Sequence, residues 1–562
     1  MEFPDSKERS TFKSKGETLS PKFYTNDRWA NSLNLRKKKL NEIISKQRGL
    51  ERFKKDGNKG YEILKENLKI EEELKNKKYD DIDSFLKEMK KYIKNDNKEY
   101  NKYALFCLRS QITNNNNFNN KNYLAEEYYK KDFISDILVL IQKYFDDNQI
   151  IFEGLWNFIN ILYFLKDISD LSLFLTSQNC VNLYIKILDK KDKCLRFHIY
   201  WLISNLLCSD KQNVAQEVIF HLYMSSFFRL YLFKTLEDKE AITENESLII
   251  FNILSQLSEF INQTYIKLGS NNIETYINYN SDVNFQSLQE NNNYLFHLSL
   301  KYFLLYIENP KLNFYCLFGL SKLSNFLQDQ QAYNEFFKSG LVRKLVKEQI
   351  KLNEECFEFI TQIIGNFLSC SQDEMLDIIL IEEILSFFVK LIQKYPSHQM
   401  LKRDIFWSVS NITSGNKLFC QKFAESGMLE ITLQSIYTDN DTVINEALFT
   451  LLGFLDKENM ELIIKYHNLD YIKNLTLSLK NFKSKQKPGD AIQNKEIIER
   501  IFLCFAILFE IGELFKGNLR NKFVNDFEKN GGFEILENFL SENKLELNLQ
   551  TAGEQLLQCR NL

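Results

Sequence analysis

The stretch Asp404-Ile405-Phe406-Trp407-Ser408-Val409-Ser410-Asn411-Ile412-Thr413-Ser414-Gly415 brings together three side chains able to hold a peptide. On a helix, Trp407 and Asn411 lie one turn apart on one face, with Asp404 a turn earlier, because residues at i, i+3 and i+4 are neighbours. An indole can lie along the alkyl stem of a lysine and attract its ammonium. An amide both donates and accepts, so it can bond a peptide backbone. The same Trp-x-x-x-Asn spacing recurs at Trp156/Asn160 and Trp201/Asn205, so three of the four tryptophans sit in it. A single such pair is most simply core packing. Three copies at a common period point instead to a row of slots, with the asparagines forming a ladder.

Other chemistries find no such support. The five histidines form neither H-E-x-x-H nor a close cluster, and the ten cysteines are scattered from Cys107 to Cys559 without a C-x-x-C pair. The cysteines read as small core residues, thiols of a reducing compartment. Without a Gly-rich phosphate loop, metal-ligand spacing or nucleophile motif, the expectation is no catalytic residue, no metal and no cofactor: not an enzyme. Residues 1–60 carry 16 Lys/Arg against 8 Asp/Glu, a net of +8; the chain as a whole is −3, which leaves −3 − 8 = −11 for the remainder. An acidic body favours a basic partner and disfavours specific nucleic-acid binding. There is no run of 18 apolar residues and no apolar stretch at the N-terminus, so a soluble, intracellular protein without membrane contact is expected.

The elements that must position these residues are amphipathic helices, which run almost without interruption from about residue 60; with five prolines and 18 glycines, breakers are scarce. Asparagine-equivalent positions fall at Asn160, Asn205, Ser255, Lys322, Asn366, Asn411 and Gly453, separated by 45, 50, 67, 44, 45 and 42. Armadillo and HEAT repeats run ~40–47 residues, so all but one interval fits within a few residues. The long interval contains Gly269 to Asn293, rich in Asn, Ser and Tyr, which reads as a loop. Asn114 to Asn120 and Asn481 to Lys495 read as further surface loops. Gly340, Gly427 and Gly532 each precede an apolar helix start, where glycine ends the preceding helix at little cost. The expected fold is an all-α armadillo-repeat right-handed solenoid of about ten repeats over 61–562, preceded by a flexible basic arm, 1–60.

The arm resembles the importin-β-binding segment of the importin-α adaptor family, through Arg9 with Phe12-Lys13-Ser14-Lys15-Gly16, then Leu35-Arg36-Lys37-Lys38-Lys39 and Lys46-Gln47-Arg48. It has only Arg28 where the family carries a dense arginine run, and Gln47 where a basic residue is usual. Asp404 to Gly415, followed by Asn416-Lys417-Leu418-Phe419 and by Glu446-Ala447-Leu448-Phe449 in the next repeat, resembles the minor nuclear-localisation-signal site. The resemblance implies that Trp407 is a slot, that Asn411 and Asn366 are ladder residues, and that Asp404 and Glu446 meet cargo cations. Phe449 and Gly453 stand where the family has Trp and Asn. Trp156/Asn160 and Trp201/Asn205 match the major site, and Asp210 lies one position from its lysine-receiving carboxylate; Phe251 and Ser255 replace the next pair, and Phe164 stands at a family glycine beside the lysine pocket, which implies a weakened or altered major site.

The last repeat, Phe527 to Leu557, resembles the one that meets a recycling exporter in this family. The implied function is a nuclear-import adaptor shuttling between cytoplasm and nucleus. Its arm, through Arg9, Phe12, Lys13, Lys15, Arg36, Lys37, Lys39, Lys46 and Arg48, would bind an importin-β-like carrier. Its groove would bind a basic nuclear-localisation-signal cargo, with the arm occupying the groove when no carrier is present. The alternative is a divergent armadillo scaffold for protein-protein interaction without import activity. The missing arginine run, the Phe251/Ser255 pair and the long insertion favour that alternative.

Overall fold

The structure, a computed structural model, describes residues 81–561 apart from 114–120, 166–170, 172–173, 176, 208–217, 224–226, 238–242, 270–284, 328–329, 348–353, 372–375, 486–494, 516–520 and 543–546. The basic arm, with all its expected carrier-binding residues, lies outside the described residues, as does Asp210. Among the described residues every regular element is a helix. They fall into two compact units, one ending at Tyr306 and the other beginning at Ile307.

In the second unit the local rule is clearest over Lys417–Glu425, Met428–Thr438 and Asp441–Phe454. The Asn416 side chain accepts from the amides of Leu418 and Phe419, satisfying donors that the first turn leaves without partners. Gly427 then turns the chain at φ +82°, a left-handed conformation that glycine adopts without a Cβ penalty. Asn440 caps the third helix through the Val443 amide. Met428, Leu429, Leu433 and Ile436 recur at helical spacing and are buried, which closes the unit on its neighbours. Gly340 (φ +65°) makes the same turn between Gln330–Lys338 and Leu341–Val346. In the last repeat the left-handed residue is Gly531, one position before the glycine expected from the sequence. Gly532 instead opens the helix Gly532–Glu542 and lies so close to the Phe527 ring that a Cβ has no room.

The third helices of this unit are Asn313–Leu323, Phe357–Cys370, Gln399–Thr413, Asp441–Phe454, Lys495–Phe515 and Leu547–Gln558; each of the first five packs against its successor. In the first unit the corresponding series is Lys98–Thr113, Asn148–Phe164, Lys193–Leu206 and Glu244–Gly269. All seven positions that set the sequence period fall on third helices. Register between successive third helices is fixed by buried polar side chains that reach back one repeat. Asn157 Nδ2 donates to the Leu105 carbonyl (2.9 Å), Ser408 Oγ to that of Thr361 (3.2 Å) and Thr450 Oγ1 to that of Phe406 (2.9 Å).

Two expected loops are shorter than the sequence suggested; of the one expected from Asn481 to Lys495, the helix Tyr471–Lys485 takes residues 481–485. The helices Glu244–Gly269 and Phe285–Tyr306 take both ends of the Asn-rich stretch from Gly269 to Asn293. Asparagine costs a helix only a few tenths of a kcal/mol per residue. The buried Leu295, Leu300 and Phe303 further along the same helix outweigh it.

Candidate functional site

In the first unit, Asp147 caps Asn148–Phe164 by accepting from the Gln149 and Ile150 amides (3.0 and 3.3 Å), and Asp192 caps Lys193–Leu206 likewise. These starts set Trp156 and Trp201 side by side on adjoining third helices, ring centroids 6.3 Å apart. The expectation of open slots fails here: Trp156 is 7% exposed, Trp201 is 0% exposed, and Asn160 and Asn205 are buried. The reason lies in their neighbours. Trp156 meets Phe152 (5.2 Å) and His198 (5.4 Å), while Trp201 meets Phe197 (5.7 Å) and His198 (6.0 Å).

Arg109, from the preceding third helix, lies with its guanidinium 4.6 Å from the Trp156 ring and 5.2 Å from Phe106. It is held there by Nε and Nη2 donating to the buried Glu153 at 2.5 and 3.1 Å. The place on Trp156 that a lysine stem would take is therefore held by an arginine of the same chain. Asn205 Nδ2 points to the Ile159 carbonyl (3.4 Å), so it joins two repeats rather than facing a peptide. Phe164 is half-buried against Tyr163 (4.8 Å), and Phe251 and Ser255 are buried.

His198 sits at the centre of the aromatic cluster. Its Nδ1 donates to the Cys194 carbonyl (2.7 Å), and its Nε2 is buried without a partner. Burial pushes its pKa down to about 4; Arg109 pushes the same way, against the Cys194 carbonyl and Asp192.

The second unit differs. Trp407 is half-buried, and the six-membered ring of its indole lies against the backbone of Gly365 on the preceding third helix. A Cβ at Gly365 would stand 2.6 Å from both Trp407 Cε3 and Ser408 Oγ, and closer still to Cζ3. Glycine is therefore what lets the indole lie across the neighbouring helix. Asn366 Nδ2 donates to Ser324 Oγ and Asn325 Oδ1, both 2.8 Å away, and Asn411 Nδ2 donates to the Trp407 carbonyl one turn back (3.1 Å). Half-buried positions recur turn by turn: Gln362, Asn366 and Ser369, then Trp407, Ser410 and Asn411, then Asn445, Glu446 and Phe449. Successive third helices thus present one polar face with an aromatic ring on two of them.

Its charges are not arranged as the sequence implied. Asp404, expected to meet a cargo cation, is only 2% exposed and accepts from Arg403 Nε and Nη2 at 2.9 and 2.7 Å. A carboxylate removed from water needs a cation, and the next residue in the chain supplies it. Glu446 is half-buried, and burial pushes its pKa up to about 7 against Arg403, Arg500 and the Asn445 amide; Asp404 adds to the rise. Near neutral pH it is a weaker anion than an open glutamate.

Two participants, Gly365 and Arg500, stand outside the Trp-x-x-x-Asn motif. Arg500, on Lys495–Phe515, lies with its guanidinium 4.1 Å from the Phe449 ring and donates Nη1 to Asn445 Oδ1 at 2.6 Å. A signal was available, since the charged pair Glu499-Arg500 interrupts the apolar residues Ile497, Ile498, Ile501 and Phe502.

No family model matches the chain, and no curated protein matches it. Solved structures do. An engineered protein aligns over 85% of this chain and 99% of its own at 13% identity, with a TM-score of 0.58. A designed armadillo repeat protein in complex with peptide (KR)4 aligns over 47% of this chain and 99% of its own, at 20% identity and a TM-score of 0.36. A computationally designed armadillo repeat protein for modular peptide recognition covers 46% of this chain and 98% of its own, at 18% identity and a TM-score of 0.36. At such identities the likeness to the first is one of fold. Among the described residues no helix is long and apolar enough to cross a membrane. With its three-helix units and stacked third helices, the chain is an all-α, armadillo-repeat-like scaffold.

Proposed function

We propose that this scaffold is a peptide-binding adaptor whose second unit holds an extended basic segment across the face formed by Phe357–Cys370, Gln399–Thr413 and Asp441–Phe454. The observation that carries the reading is the seat of Trp407, half-buried over Gly365 with Asn366 and Asn411 on the same face. A ring held rigid by its neighbour and open on one side offers a lysine stem apolar area and a favourable quadrupole at small entropic cost. In its finer form the proposal is a nuclear-import adaptor, active in cytoplasm and nucleus. The basic arm recruits an importin-β-like carrier, the Trp407 face takes a basic nuclear-localisation signal, and the last repeat meets a recycling exporter. Such a mechanism needs neither catalytic residue nor cofactor.

Titrating a labelled bipartite lysine-rich peptide into the full chain, by fluorescence anisotropy, tests the binding step. Trp407→Ala should weaken it roughly fivefold or more. An affinity no better than that of an acidic scramble would overturn the reading. The import role has its own test: an importin-β protein should retain the full chain and release it when Arg36, Lys37 and Lys39 are changed to glutamate.

A second reading, an armadillo scaffold without import activity, is favoured by the closed Trp156 and Trp201 and by the pairing of Asp404 within the chain. Retention by the Trp407 face of a peptide of any charge, without carrier capture, would select it.

A further inference from the structure

Phe449 stands one repeat beyond Trp407, at the same position of its third helix, and would be the next aromatic slot along the face. It is already taken. The Arg500 guanidinium lies 4.1 Å from the ring, Nη1 donates to Asn445 Oδ1 at 2.6 Å, and Glu496 stands 3.5 Å from Nη2. Ring, side-chain amide and carboxylate are what a basic peptide would use there, and the chain's own arginine engages all three. Its side chain is only 13% exposed, so it is seated rather than loosely draped. Arg109 does the same to Trp156 in the first unit, with Glu153 as its carboxylate. Trp407 has no guanidinium over its ring among the described residues.

We propose that Arg500 is an intramolecular plug: it occupies the Phe449 slot as a surrogate for a peptide cation and limits the partner to one strongly read basic residue, the one at Trp407. This deepens the peptide-binding reading above and rests on it. Packed helix axes lie ~8–10 Å apart and an extended chain advances ~3.3 Å per residue, so neighbouring slots are about two or three residues apart on a bound peptide. Without the plug, Phe449, Asn445 and Glu496, together with the half-buried Glu446, form an unoccupied cation site at that spacing.

The test compares two otherwise neutral peptides, one with a single lysine and one with a second lysine two or three residues away, on the full chain carrying wild-type Arg500, Arg500→Ala or Arg500→Met. For the wild type the second lysine should change affinity by less than about twofold, and for Arg500→Ala it should tighten binding by about fivefold. Arg500→Met keeps an unbranched apolar stem on Phe449 but offers no donor or charge. It should leave the second lysine as ineffective as in the wild type, which separates occupancy of the ring from loss of one positive charge. Equal discrimination by the wild type and Arg500→Ala, with both proteins folded by circular dichroism and still sensitive to Trp407→Ala, overturns the plug alone. Binding that ignores Trp407 in every variant overturns the underlying reading and the plug with it.

Discussion

Replacing Gly365 with alanine separates a local rule from a packing constraint, because the two predict opposite signs. Gly365 lies in the interior of Phe357–Cys370, where Gly→Ala normally stabilises a helix by ~0.8–1 kcal/mol. Here the new methyl would stand 2.6 Å from Trp407 Cε3 and from Ser408 Oγ, against the 3.4–4 Å of ordinary contact. The indole must retreat by roughly an ångström, and overpacking of this kind costs about 1–3 kcal/mol. The packing term therefore wins, and the net change is a destabilisation of up to ~2 kcal/mol. For a body the size of this unit that is a fall of about 2–4 °C in Tm per kcal/mol.

The decisive assay is a double-mutant cycle followed by thermal melting, with Gly365→Ala made in the wild type and in Trp407→Ala. Removing the indole takes away two of the three nearest atoms and leaves Ser408 Oγ at 2.6 Å, so the alanine should cost clearly less than in the wild type, with a coupling of at least ~1 kcal/mol between the two sites. The displaced ring should also weaken lysine-peptide binding in the single mutant. A Gly365→Ala protein that melts higher than wild type, by the same margin with and without Trp407, would refute the claim that this glycine seats the indole.

Three further predictions concern ionisable groups. The pKa of His198 is depressed from 6.5 to about 4, so its contribution is complete above pH 6.5 and is lost as pH falls toward 4. The loss is about 3 kcal/mol, and melting curves of wild type and His198→Phe should converge or cross on acidification; parallel pH profiles would contradict the buried, neutral imidazole. Glu446 has the opposite sign: its carboxyl is raised from 4.5 to about 7, so the fold is least burdened below pH 4.5 and loses stability as pH rises through 7. Glu446→Gln should gain ~1–2 kcal/mol over wild type between pH 5 and 8, after discounting for partial exposure, and a pH-independent difference would refute it. Glu153→Gln leaves the Arg109 guanidinium without its buried anion and should cost roughly 3 kcal/mol, read as a lower Tm with increased fluorescence change at Trp156.

The fold was legible because its signal is repeated. Positions from Asn160 to Gly453 recur at about one helical-triplet length, and each lies on a third helix. Gly340 and Gly427 marked left-handed turns because no other residue adopts that backbone so readily. Where the signal was compositional it failed: asparagine-rich sequence at 285–293 is helical because leucines and phenylalanines further along the helix are buried. The glycine pair at 531–532 was misassigned by one residue because sequence alone does not say which member turns and which packs against Phe527.

The candidate site was less legible, for a reason that belongs to stacked repeats in general. Trp-x-x-x-Asn on one helix fixes what that helix offers, but whether the offer is open depends on the neighbouring helix, about fifty residues away in the chain. Glu153 beside Trp156 is met by Arg109, 44 positions earlier; Asn445 beside Phe449 is met by Arg500, 55 positions later. Neither arginine belongs to the motif, and each closes it by supplying the cation that the motif was expected to await. Trp407 stays partly open because its neighbour on the preceding helix is Gly365, which contributes no side chain at all. Whether a slot is open is thus set across repeats: an arginine from a neighbouring third helix closes Trp156 and Phe449, ring packing on Phe197 and His198 closes Trp201, and a glycine one repeat back seats Trp407 half-exposed. An arginine introduced one repeat from Trp407, on the model of Arg500, should silence the site without touching Trp407 or Asn411.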